Sequence, residues 1–133
     1  MQAGPDPIPL PPRSCRIDPQ IFRQLMDMAG QDLAPSLMVQ MRQDLWQIAR
    51  AITLALDPAD DHALRRQTHI LAAISGSAGA IDLQAAAQDL GQSAQTHPPD
   101  TAGLQRQAAR VLEGLYGLIR YIEASMPPQT SIA

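Results

Sequence analysis

The sequence predicts an all-α protein: an antiparallel up-down four-helix bundle with a short extra helix at its N-terminal end. Three observations predict it. Apolar residues recur at three- and four-residue intervals through most of the chain, the period of a helix with one buried face. Ala, Leu and Gln dominate while aromatics make up 3% of residues, a balance that favours helix over sheet. Breaks containing Pro, Asp or Gly cut the periodic stretches into long segments joined by short connections, as an up-down bundle requires. No internal repeat and no two-residue alternation competes with this pattern.

A chain of 133 residues forms one domain with enough length to bury a core. Residues 1–16 contain Pro5, Pro7, Pro9, Pro11 and Pro12, a spacing that forbids helix and predicts a disordered, Pro-rich lead-in. Asp18-Pro19 opens the first helix as N-cap and first helical residue. Ile21, Phe22, Leu25 and Met28 form its apolar side, and Gly30 ends it. The second helix is expected from Asp32 to Leu56, with Leu33, Leu37, Met41, Leu45, Ile48, Ile52 and Leu56 as its core stripe. Met38 and Trp46 lie off the centre line of that stripe, at its margin or in a patch that docks a partner.

Asp57-Pro58 interrupts the chain, and Asp60 and Asp61 place acidic groups at the positive end of the third helix. Gly76 and Gly79 predict a kink or fray late in that helix, because each costs about 1 kcal/mol in a helix interior. A fourth helix is expected from Asp82 to Gln95, with Leu83, Ala86, Ala87, Leu90 and Ala94 inward. His97-Pro-Pro-Asp100 reads as a loop. The last helix runs from Thr101 to Ser125 and presents Leu104, Ala108, Val111, Leu112, Leu115, Leu118, Ile119 and Ile122. Residues 17–125 thus form the bundle, and residues 126–133 a mobile tail after Pro127-Pro128.

The third helix has an unusual second face. Leu64, Gln67, Leu71, Ile74, Ser75 and Ala78 fall on its core side at 100° per residue. His62, Arg65, Arg66, His69, Ala72, Ala73 and Gly76 fall on the other. A histidine stands in mid-helix there, with two arginines a turn before it and only small residues for two turns after it. Such a face leaves an imidazole clear of its neighbours and open to the approach of another protein. In isolation, a single mid-helix histidine is usually just a solvated side chain.

The segment around His69 resembles the phosphorylation-site helix of histidine phosphotransfer (HPt) domains, the His carriers of two-component phosphorelays. The family pattern is Leu-x-x-x-Ala-His-x-Leu-Lys-Gly-Ser, then Gly-Ala about ten residues after the His and leucines beyond. Leu64, His69, Leu71, Gly79, Ala80, Leu83 and Leu90 match it without a gap. The chain departs at three positions, where the family Lys, Gly and Ser are Ala72, Ala73 and Ile74. A rival register, aligning the family Gly-Ser with Gly76-Ser77, would put Ala72 in the acceptor position and make the carrier inert.

The resemblance implies a cytoplasmic, bacterial signal-transduction protein that takes a phosphoryl group on His69 from a receiver-domain aspartate and passes it on. Its partners would be a response-regulator receiver domain and a hybrid histidine kinase. It needs no cofactor of its own, since the partner receiver carries the Mg²⁺. The family Lys helps hold the phosphoryl group. With Ala72 in its place, Arg65, one turn before His69 on the same face, is the substitute cation, and Arg66 a weaker one. His62, Ala72, Ala73 and Gly76 would complete the docking surface. The three departures favour a second reading, a pseudo-carrier that binds a receiver or kinase without being phosphorylated. A third is a plain helical interaction module.

Composition narrows the classes further. A net charge of −3 with ten arginines and no lysine offers no basic stripe for nucleic acid. Cys15 is alone, so neither a disulfide framework nor a Cys/His metal set is expected. His62 and His69 stand seven apart, not at the four-residue spacing of a helical metal pair. There is no nucleophile motif or phosphate-binding Gly-rich loop, and an independent enzyme is not expected. No apolar run is long enough to span a bilayer. A monomer is expected, since nothing in the pattern adds dimerisation helices.

Overall fold

The computed structural model describes residues 16–96 and 100–127. The described residues are all-helical. Five helices follow in order: α1 (Pro19–Ala29), α2 (Ala34–Leu54), α3 (Asp61–Ala78), α4 (Ile81–Ser93) and α5 (Thr101–Ser125). An isolated bridge, Leu56 to Ala59, closes the α2–α3 connection. The Pro-rich segment through Cys15, together with His97 and Pro128, lies outside the described residues.

Helix α2 packs on α3, α3 on α4, α4 on α5, and α5 returns to α2. Helix α1 rests on α2 and α3. The shared core contains Leu45, Ile52, Leu64, Leu71, Leu83 and Leu90, joined by Val111, Leu115, Leu118 and Ile122 from α5. These stripes are the ones expected from the three-and-four spacing. Phe22 carries α1 onto the core, its ring meeting Tyr121 of α5 edge-on with centroids 5.2 Å apart.

Local chemistry fixes most helix ends. Asp18, Asp60 and Asp100 sit in extended backbone, and their carboxylates accept from Gln20, Ala63 and Gly103 N–H groups. Each pairs an amide that the first helical turn leaves without a partner. Gly79 ends α3 in the left-handed conformation (φ 88°), and the Ala80 N–H closes the turn onto the Ser75 carbonyl at 2.8 Å. Only glycine takes that backbone without cost. A side chain there would also run into the Asp18 carbonyl, 2.7 Å from an ideal Cβ. The Asp18 N–H in turn donates to the Gly79 carbonyl at 2.9 Å, tying the start of α1 to the α3–α4 turn.

Several expectations need correction. Helix α2 begins at Ala34, two residues late, because Pro35 occupies its first turn and residues 31–33 form a turn. Leu33 therefore leaves the core stripe and is exposed, while Met38 is buried in it. Met28 projects from the last turn of α1 into solvent. Helix α3 does not fray at Gly76; it continues to the Gly79 cap. Met126, placed in a tail by the sequence, is half-buried against the core. Its sulfur lies 3.6 Å from the Arg42 guanidinium.

Candidate functional site

His69 lies in the ninth position of α3, and its side chain is exposed. It borders an open groove of about 920 Å³ between α3 and α4. Helix α3 supplies one wall, with His62, Arg65, Arg66, His69 and Ala73 along it. All five are exposed. The helical repeat puts His62, Arg65, Arg66 and His69 within one 100° arc, and His62 about 10 Å along the axis from His69.

The opposite wall was not anticipated from the sequence. Helix α4 lines the groove with Gln84, Gln88 and Gln92, and Gln95 adds to the wall just past the helix end. The spacing of four and four places the three helical glutamines on one stripe. Gln88, Gln92 and Gln95 are exposed, and Gln84 is half-buried. Repeated glutamines at helical spacing were visible in the sequence. Their significance was not, because only the packing shows which helix they face.

The groove floor depends on the closest approach of the two helices. Thr68, the residue before His69, is buried, and its hydroxyl donates to the Leu64 carbonyl at 2.8 Å and the Arg65 carbonyl at 3.1 Å. That hydroxyl would lie 2.7 Å from a Cβ on Gly91. The missing side chain at Gly91 thus lets α4 come against α3 directly beneath the His69 turn.

This contact also redraws the docking face. Ala72 is buried, with 8% of its surface exposed, so it belongs to the floor and not to an open surface. Gly76 is half-buried, and a Cβ there would meet the Gln84 amide at 2.5 Å. The helical wheel treated α3 as having one buried side. Packing against both α2 and α4 gives it a wider one. Of the proposed docking residues, His62 and Ala73 remain open beside His69.

No protein-family model, curated protein or solved structure matches the chain. The site must therefore be read from its own chemistry. Among the described residues, no group of three His, Cys, Asp or Glu side chains is placed to hold a metal ion. No described helix is long and apolar enough to cross a membrane. The ion pairs Arg16–Asp82 (3.3 Å) and Arg42–Glu123 (3.7 Å) lie outside the groove. What the groove brings together is two exposed imidazoles, two guanidiniums and a row of neutral amides. That set can offer a nitrogen nucleophile to a phosphorus atom and hydrogen-bond donors to the oxygens around it.

Proposed function

We propose that this chain is a histidine phosphocarrier of the HPt kind, built as an antiparallel up-down four-helix bundle with α1 as its extra helix. His69 is the acceptor. The observation that carries the reading is the exposure of His69 on a groove whose α3 wall also presents Arg65 and Arg66. The burial of Ala72 favours the ungapped register, because an acceptor in Ala72's place would be out of a partner's reach.

The reaction asks little of the carrier. A neutral ring nitrogen of His69 attacks the phosphorus of an aspartyl phosphate presented by a receiver domain. The N–P bond forms as the acyl P–O bond breaks, and the aspartate leaves as carboxylate on the partner. Such transfer passes through a loose, in-line transition state governed by positioning and charge compensation. Mg²⁺ on the receiver supplies part of that compensation. Arg65 supplies the carrier's share in place of the absent lysine, and Arg66 stands further round the helix. The Thr68–Gly91 contact fixes the turn that carries His69, so the imidazole is held on a rigid element.

A second reading rests on one specific observation. Among the described residues, the groove has no cation on the C-terminal side of His69, where Ala72 and Ala73 stand. A pseudo-carrier that binds a receiver domain or hybrid kinase without taking phosphate would need none. The two readings separate when the full chain is incubated with a panel of labelled, phosphorylated receiver domains. Acid-labile, alkali-stable label on the wild type and none on His69→Ala establishes the carrier. Receiver binding that needs the His69 face but leaves no label overturns it in favour of the pseudo-carrier.

A further inference from the structure

The groove is longer than one phosphoryl group requires. Its α3 wall spans two turns, from His62 through the guanidiniums of Arg65 and Arg66 to His69, and its glutamine wall runs from Gln84 to Gln95. Among the described residues, no Asp or Glu lines it, although the chain as a whole carries 13 acidic and ten basic residues. Positive charge has been gathered into the groove against the sign of the molecule, and that arrangement steers and orients an anionic partner.

The facing wall decides what kind of anion fits. A glutamine amide both donates and accepts. A free oligophosphate presents acceptors only, so it would use one half of each amide. A polypeptide backbone presents alternating N–H and C=O groups and uses both halves. We infer that the α3/α4 groove docks an extended acidic polypeptide segment of the partner. Its backbone lies along the Gln84, Gln88 and Gln92 stripe, and its carboxylates face His62, Arg65 and Arg66. This names the partner chemistry for the site proposed above and rests on that reading for the use of the site. The docking needs no phosphoryl transfer.

The probe is a hexaglutamate peptide titrated into the full chain, followed by side-chain amide and imidazole NMR shifts. The expected result is saturable binding that moves the Gln84, Gln88 and Gln92 side-chain amides. Affinity should fall at least tenfold in the Arg65→Gln/Arg66→Gln variant and by less than twofold in Arg106→Gln/Arg110→Gln. The latter removes the same charge from α5, outside the groove. His69→Ala should abolish label in the transfer assay while peptide binding that depends on Arg65 and Arg66 persists, so docking and the carrier reading fail separately. Equal losses in the two arginine variants would reduce the effect to net charge and overturn the inference. So would shifts that miss the glutamine amides, or inorganic tripolyphosphate binding as tightly as the peptide at equal charge.

Discussion

Along the α3/α4 groove the exposed side chains include His62, Arg65, Arg66, His69, Ile70 and a row of glutamines, whereas along the α2/α5 seam two aromatic ones, Trp46 and Tyr116, stand exposed. The two aromatic rings lie 5.6 Å apart at 44°, above a depression of about 400 Å³ bounded by Ile119, Arg120 and Glu123. Trp46 keeps 51% of its surface exposed. The groove owes its shape to an absent side chain at Gly91, and the seam to two large ones. Adding atoms should therefore damage the first, and removing atoms the second. The groove concentrates polar chemistry, while the seam is the margin of the core with two rings left over it.

The largest effect is expected at the turn that sets α4 beside α3. Gly79→Ala forces a side chain into left-handed backbone and against the Asp18 carbonyl. It should cost about 3 kcal/mol by chemical denaturation, from backbone strain plus the clash. Gly91→Ala should cost about 2 kcal/mol, because Thr68 must yield and only part of that is offset by helix propensity. Adding Thr68→Ala should recover about half of the loss, a coupling that a double-mutant cycle reads directly. If Gly91→Ala is neutral, the close approach does not shape the groove.

Arg65→Ala tests the electrostatic side. The lost charge-assisted hydrogen bond should slow phosphoryl transfer to His69 about tenfold, the lower end of its range because Arg65 is exposed and solvent screens it. Arg66→Ala should do less, and stability should be unchanged in both. On the seam, Trp46→Ala should cost about 1 kcal/mol, the worth of one aromatic pair, and leave transfer untouched. A loss of transfer there would show that the two regions are coupled. One further effect has the opposite sign. Ser75 is fully buried on the core side of α3, with no partner for its hydroxyl among the described residues. Ser75→Ala should stabilise by about 1 kcal/mol, measured as a higher denaturation midpoint.

Much of this arrangement was legible in the sequence, and what was missed has a common cause. Periodicity located the five helices and nearly all of α5's inward residues, because burial on one face is a property of a single helix. Asp18, Asp60 and Gly30 marked ends through local backbone chemistry, whereas Gly79, read as an interior weak point, is the cap that ends α3. His69, Arg65 and Arg66 were placed on one face by the helical repeat, and all three are exposed. Ala72, Gly76 and the glutamine wall were misread or overlooked because they depend on how closely two helices approach. That distance is set by Thr68 against Gly91, two residues whose pairing no single-helix pattern reveals. Leu33 was misplaced for a simpler reason, since Pro35 delayed the start of α2.

Phosphorus NMR on the full chain after exposure to phosphorylated receiver domains tests the role of His69 as phosphoryl acceptor. The expected result is a phosphoramidate signal in the wild type that is stable in alkali, lost in acid and absent from His69→Ala. A signal that persists in His69→Ala, or no signal with any receiver that measurably binds, would contradict it.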